Sequence, residues 1–365
     1  MGTSLKIINN HMNIWITYLI IAAILLIAEL VYFKIAHKYN IIDIPNSRSS
    51  HKWTIIRGGG IIFAISIILW LVCQMFLGNW GLVVGYLPFT IGLVLICVVS
   101  FWDDIHSLPD SVRFVVQVIA MILMLYQLIM GNGELTIGHW WGGIIFIVAS
   151  LIVLVGATNI INFMDGINGI TAGNSFAVLV PLLILNGKLT IENGAGFIDQ
   201  SFLVVALIGL LVFAYFNFRP SGKTKCFAGD VGSVGIAFIM LFAIGKLIVH
   251  TCDVTWLMLL LVYGIDGCLT IMHRIMLHEN LGQAHRKHAY QIMANELKMS
   301  HVVVSCIYMF LQLAISLVLI YVIPNTVAAH WLYLVATAVV LAIAYVVFMR
   351  KYYHLHEEYL ASLNK

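Results

Sequence analysis

The chain has 365 residues, of which 62% are hydrophobic and only 10% charged, with a net charge of +3. That composition cannot furnish a water-soluble surface, and the small positive balance is no footprint of nucleic-acid binding. What remains is a polytopic membrane protein. Because a backbone in lipid must satisfy its own hydrogen bonds, the expected fold is all-α, one helix bundle over 1–365 with its motifs between about 43 and 291.

In chain order, apolar runs of bilayer length, about 17 to 25 residues, begin near Ile14, Gly59, Leu82, Val112, Gly142, Ile170, Ser201, Gly232, Val254, His301 and Trp331, giving eleven expected spans. The first is followed by Lys34, His37 and Lys38 without a small-residue cleavage site, so it reads as a retained helix. Alternation of the spans puts every Lys and Arg except Lys6, Lys188 and Lys246 on one face. Since basic residues accumulate on the cytoplasmic side, the N-terminus is expected outside and the C-terminus in the cytosol. The six cysteines are scattered and form no C-x-x-C pair, which suggests neither a disulfide framework nor a zinc site.

Five polar segments fall on that same face: D-I-P-N-S-R-S-S-H-K-W-T-I-I-R-G-G-G (43–60), F-W-D-D-I-H-S-L-P-D (101–110), N-I-I-N-F-M-D-G-I-N-G-I (159–170), C-F-A-G-D-V-G-S (226–233) and the histidine-rich stretch 273–291. The opposite loops are plain apart from Trp140 and Trp141, an interfacial pair. Each segment taken alone has a bland explanation. Asp103 and Asp104 could be solvated, the third segment a turn, Gly229 to Ser233 a helix cap, and His273, His278, His285 and His288 snorkelling residues.

Their coincidence on one face calls for one chemistry. Carboxylate and amide oxygens opposite Arg, Lys and His describe a place where a hard cation meets a phosphorylated substrate. Glycines beside the acids let backbone amides approach phosphate, and the helix starting at Gly232 and Ser233 would favour an anion at its N-terminus. One reactant would be a diphosphate from the cytosol and the other would be held in the bilayer. A secondary transporter is the competing class, and it expects ionisable groups near the midplane, commonly in two related halves. Only Glu29 and Asp266 lie inside apolar runs, and no repeat is visible.

In these motifs the chain resembles the polyprenyl-phosphate N-acetylhexosamine-1-phosphate transferases. That superfamily includes phospho-N-acetylmuramoyl-pentapeptide transferase and the enzymes that start O-antigen and teichoic acid synthesis. The resemblance runs from about Asp43 to Gln291 in the same motif order. It implies transfer of a sugar 1-phosphate from a UDP-sugar to a polyprenyl phosphate such as undecaprenyl phosphate, release of UMP, and a requirement for Mg2+. It also implies a bacterial cytoplasmic membrane with the site facing the cytosol, and leaves a homodimer open.

By this resemblance Asp103 and Asp104 are the D-D pair associated with the lipid phosphate and its deprotonation, and either could be the base. Asn162 and Asp165 match the second Asn and the Asp of N-x-x-N-x-x-D-G, which puts Asp165 among the catalytic residues and Gly166 beside the nucleotide sugar. Asp230 matches the metal-binding Asp of G-D-x-G-S, so Asp230 and Asn162 are the implied magnesium ligands. Phe227 matches an aromatic that stacks on uracil, and Asn217 is counted in the same nucleotide-sugar site. Arg286 and His288 match the Arg and first His of the last motif, which contacts the diphosphate.

Two departures bear on specificity. Asn168 stands where many relatives have a second Asp, so it would meet uracil through an amide without charge. The last motif, A-H-R-K-H-A-Y-Q, has Tyr290 and Gln291 where other branches have imidazoles, with Asp266 eight residues before Arg274. That form looks more like the surface-polysaccharide initiating branch than the pentapeptide transferase, which stands as the alternative. His285 and His288 have a spacing that zinc could use, but hard oxygens at both motifs facing the diphosphate favour magnesium.

Overall fold

The computed structural model describes residues 2–45, 53–130, 140–280 and 285–363. Residues 46–52 of the first polar segment, residues 281–284 of the last, and the side chains of Lys6, Trp140 and Trp141 lie outside the described residues. Ten helices among the described residues are long and apolar enough to cross a membrane. They belong to α1 (Gly2–Lys38), α4 (Leu87–Ile105), α5 (Asp110–Met130), α6 (Trp140–Phe163), α7 (Ile170–Asn193), α8 (Gln200–Asn217), α9 (Gly229–Thr251), the pair formed by a 3-10 turn (Val254–Leu260) and α10 (Leu261–Met276), α12 (His301–Tyr321) and α13 (Val327–Leu363). Between them lie α2 (Ile61–Phe76), α3 (Trp80–Gly85) and the short α11 (Ala289–Asn295).

Every expected apolar run therefore meets a helix, with three differences. The second run, α2, has only 16 residues, about 24 Å of helix against a hydrocarbon core of about 30 Å. The third is divided into α3 and α4, because Pro88 can sit only in the first turn of a new helix. A small β element also departs from the all-α expectation: Ile42–Asp43 (β1) pairs antiparallel with Ile55–Ile56 (β2), and Ile56 bridges Cys226 in parallel.

Interruptions in the bundle leave backbone groups without ladder partners, and amide side chains take their place. Gln127 of α5 accepts from Phe89 N at 2.7 Å, where α4 starts. Gln312 of α12 accepts from Val262 N at 3.0 Å and donates to Met258 O at 3.0 Å, bridging the change from 3-10 to α geometry. Neither position has water to do this work in a bilayer.

Helix α9 runs through the middle of the bundle, packed by α2, α4, α5, α6 and α7. It is apolar on all sides because all sides are buried. Phe238 and Phe242 stack on Phe89, with ring centroids 5.4 and 4.1 Å apart, and Phe202 closes the cluster edge-on. The start of α9 meets the start of α2 backbone to backbone. A Cβ on Gly60 would lie 2.3 Å from Gly232 Cα. Two glycines are needed there because no side chain fits between the helices.

Gly60→Val should therefore force α2 from α9 and cost about 1–3 kcal/mol or more. Thermal unfolding in detergent checks this: a clear fall in Tm is expected, and an unchanged Tm would mean that the two helices are free to part.

Candidate active site

The site grows out of one buried carboxylate. Asp104, near the end of α4, has a fully buried side chain. Its Oδ1 accepts from Asp230 N at 2.9 Å and pairs with Arg57 Nε at 2.7 Å, and its Oδ2 accepts from Val231 N at 3.0 Å. A negative charge on first-turn amides is favoured by the helix dipole. The approach requires Gly229, whose φ is +70° and whose Cβ, if present, would lie 2.6 Å from Asp104 Oδ2. The anion expected at the start of this helix is thus the protein's own: the helix begins at Gly229, Asp104 occupies its amides, and Gly232 is spent on packing.

Asp103, one residue earlier, has different surroundings. Its Oδ1 accepts from Leu108 N at 2.6 Å and its Oδ2 pairs with Arg113 Nη1 at 2.7 Å. Arg113 also pairs with Asp110, one turn earlier on α5, and lies 3.8 Å from Asp230 Oδ2. Arg57 Nη2 approaches the same Asp230 oxygen at 3.9 Å. The Asp103 and Asp230 carboxyls are within hydrogen-bonding reach of each other. On α6, Asn162 Oδ1 accepts from Ser233 Oγ at 2.6 Å, which holds the amide beside the first turn of α9.

These groups line a cavity of about 490 Å³ between α4, α5, α6 and α9. Asp103, Asp110, Arg113, Asn159, Asn162, Asp230 and His285 form its polar wall, and Ile96, Val99, Phe114, Phe163 and Val234 its apolar one. Phe114 and Phe163 are also exposed on the bundle surface. Asn159 donates to Gln117 Oε1 at 3.2 Å, which fixes the polar side deeper in the cavity.

The expected residues divide accordingly. Asp103, Asn162 and Asp230 come together in the cavity, whereas Asp104 lies behind it. Asp165 sits in the turn after α6 and accepts from Thr171 Oγ1 at 2.5 Å. Burial pushes its carboxyl up to about 6, with Asp104 nearby adding to the effect and the Thr171 bond and Arg57 opposing it. Gly166 is in contact with Tyr290, since a Cβ there would meet Tyr290 Oη at 2.3 Å.

Asn168 and Asn217, expected at the nucleotide, are buried loop supports. Asn168 Nδ2 donates to Thr224 Oγ1 at 2.6 Å and to Arg219 O at 3.2 Å. Asn217 accepts from Gly169 N and donates to Cys226 O, each at 2.9 Å. Phe227 is half-buried, and its backbone pairs with Ile56 and Gly59. Arg286 does not line the cavity. It lies 3.6 Å from Glu296 Oε1 and stacks over the Tyr359 ring at 4.8 Å.

From the last motif the cavity receives His285 instead. Burial, then His288 and Arg274 nearby, push its imidazole down to about 3, so it is neutral at physiological pH. Among the described residues no group of three or more His, Cys, Asp or Glu is arranged to hold a metal. Arg57, Arg113 and His285 are the positions at or beside the cavity that sequence reasoning left without a role. The signal for Arg113 was present, an arginine one turn after Asp110 at a helix start, but nothing in the sequence aimed it at Asp103.

Residues 86–248 match the family model for glycosyl transferase family 4. Over that segment the chain is similar to this family. It is 23% identical over 285 residues to a probable undecaprenyl-phosphate N-acetylglucosaminyl 1-phosphate transferase of Bacillus subtilis (strain 168), covering 76% of each chain. It is also similar to phospho-N-acetylmuramoyl-pentapeptide-transferases. One from Heliobacterium modesticaldum is 23% identical over 197 residues, 49% of this chain and 56% of that one. Another from Chlamydia pneumoniae is 27% identical over 202 residues, 48% and 55% of the two chains. The match thus spans little more than half the length of these two. The family segment contains Asp103, Asp104, Asn162, Asp165 and Asp230, whereas Arg57 and the stretch 285–291 lie outside it.

Two outcomes follow from this geometry. Asp104→Asn should lower thermal stability by roughly 3 kcal/mol, because a buried pair is broken at a helix start, while Asp103→Asn should change Tm little; equal shifts in detergent would contradict the assignment. For Asp165 the carboxyl is raised, so its ionisation works against folding as pH climbs from the ordinary range through about 6. Asp165→Asn should raise Tm at pH 7.5 and leave it nearly unchanged at pH 4. A Tm gain that is largest at low pH would refute the shift.

Proposed function

We propose that this protein transfers a sugar 1-phosphate from a UDP-sugar to a polyprenyl phosphate, undecaprenyl phosphate in bacteria, and releases UMP. The observation that carries the reading is the two-sided cavity: Asp103 and Asp230 face each other between Arg113 and Arg57, opposite an apolar wall that reaches the bundle surface. A diphosphate with its cation suits the first wall and a lipid phosphate with its chain suits the second. The basic loops put this end of the bundle in the cytosol, with the N-terminus outside, in the bacterial cytoplasmic membrane. The whole chain acts as one transferase domain.

Two facing carboxylates repel unless a cation or proton lies between them, and the groups beside them, Asp103, Asp230 and the Asn162 amide, offer hard oxygens, which fits magnesium. Asp230 and the Asn162 amide oxygen would hold it, with Asp103 beside them and water or diphosphate oxygens completing the shell. Bound there, magnesium would neutralise charge on the diphosphate.

The chain's own residues position and charge-stabilise. Arg113 presents a planar fork whose Nε is buried without a hydrogen-bond partner among the described residues, a donor set suited to phosphate oxygens. An oxygen of the lipid phosphate forms a bond to the sugar-bearing phosphorus, and the bond from that phosphorus to the bridging oxygen breaks, leaving UMP. A phosphate monoester has its second pKa at about 6 and is mostly dianionic near neutrality. Little deprotonation is then required, and orientation counts for more. Where a proton must be taken, Asp103 is the better base, because its side chain lines the cavity whereas Asp104 is held behind it. His285, being neutral, can accept a hydrogen bond from a substrate hydroxyl or amide.

The sugar is best assigned as N-acetylglucosamine. The relative named for that sugar aligns along 76% of this chain, whereas the pentapeptide transferases align along about half. Tyr290 and Gln291 in the last motif agree with this choice, and the product would open a surface glycan such as O-antigen.

Purified protein should convert radiolabelled UDP-N-acetylglucosamine and undecaprenyl phosphate to a lipid-linked product and UMP, and should not use UDP-N-acetylmuramoyl-pentapeptide. Asp230→Asn should be nearly inactive and need more magnesium, while Asn162→Asp, which keeps an oxygen, should retain some turnover. Full activity in excess chelator would remove the metal from the scheme.

A further inference from the structure

We propose that Asp266 is a positioning residue for this reaction, acting through His288; the proposal rests on the transferase reading above. Asp266 lies on α10, buried in the bundle, and takes part in five contacts. Its Oδ1 lies 3.2 Å from His288 Nδ1 and accepts from Ala289 N and Thr270 Oγ1, each at 3.1 Å. Its Oδ2 accepts from Tyr308 Oη at 2.6 Å and from Tyr290 N at 3.4 Å.

Pinning the first amides of α11 does not account for a charge. A neutral Asn or Ser oxygen caps a helix as well as a carboxylate does, and a buried carboxylate in a membrane protein is costly. What a carboxylate adds is its partner. Being acceptor-only, Asp266 requires a hydrogen on His288 Nδ1, which leaves Nε2 as the reacting nitrogen, and it favours the imidazolium when Nε2 takes a proton.

His288 Nε2 is buried and has no hydrogen-bond partner among the described residues. Leaving such a group unpaired is costly, and a bound ligand would offset that cost. Its surroundings place that ligand at the active site. The His288 ring lies 5.0 Å from His285, a wall of the cavity, and is stacked 5.6 Å from Tyr290, whose hydroxyl donates to the carbonyl of Phe163, another wall. Asp266 thus holds His288 so that Nε2, once protonated, can donate to a phosphate oxygen of the UDP-sugar. The other titratable groups around this pair are Tyr263 and Arg274 on α10, Glu279, His285, Lys287 and Tyr290 in the adjoining stretch, Tyr308 on α12 and Tyr345 on α13.

The test is a double-mutant cycle on purified full-length protein, with kcat and KM for UDP-N-acetylglucosamine at saturating undecaprenyl phosphate. Asp266→Asn should lower kcat roughly 100-fold, with KM changed less than about threefold. In the His288→Gln background the same substitution should cost less than about threefold, because its effect passes through the imidazole. The pH profile gives a second readout that a merely structural role would not produce. Tyr308→Phe frees Oδ2 from a hydrogen bond and should move the histidine limb to higher pH, whereas Asp266→Asn should move it lower. If Asp266→Asn does not fold, the Tyr308→Phe shift still decides. Losses that multiply in the cycle, or a limb that Tyr308→Phe leaves in place, overturn the proposal alone. A wild type that turns over no UDP-sugar overturns the transferase reading together with it.

Discussion

The structure depends on the carboxylate of Asp104 held against the first turn of α9. It joins three parts of the chain: the end of α4, the start of α9, and the glycine turn that carries Arg57. Remove it and the amides of Asp230 and Val231 lose their acceptor, Arg57 loses its anchor, and α2 has no fixed place to cross α9. Every polar group on the cavity wall is positioned relative to that junction. The cost of burying a charge is met locally, because an arginine and two amides saturate it. This is why two adjacent aspartates, alike in sequence, serve different ends: one builds the site and the other faces into it.

The same economy recurs wherever the bundle is irregular. Gln127 and Gln312 complete interrupted helices, and Asn217 ties the turn after α6 to the strand-like stretch at Cys226. In a bilayer a loop that carries catalytic groups cannot lean on water for its backbone hydrogen bonds, so side-chain amides from neighbouring helices must supply them. The polar turn is therefore rigid by construction, which is what positioning chemistry requires.

At the other edge of the site, α13 continues well past the apolar stretch and packs against the segment that follows His285. Tyr353 lies near Lys287 and His273, Tyr359 stacks on Arg286, and His356 meets Glu296. The motif is thus gripped from two sides, by this extension and by Asp266 from within the bundle. Arg286 is engaged by the extension and leaves the cavity wall to His285.

The sequence by itself determined the class and the chemistry. A chain that is 62% hydrophobic with bilayer-length runs has to be a helical membrane protein. Five polar segments of carboxylates, amides and glycines gathered on one face point to a polar site at that face. Asp103, Asn162 and Asp230 could be named because their motifs carry the signature in consecutive residues. The division of labour was settled only in three dimensions. Asp104 and Asp103 differ by which side of α4 they leave from. Asn168 and Asn217 support loops because each has a partner 48 to 56 positions away in the chain, and Arg113 reaches Asp103 only because α4 and α5 fold back on each other. Periodicity and motif spacing are local quantities, whereas the direction of a side chain at a helix end is set by whichever distant helix packs against it.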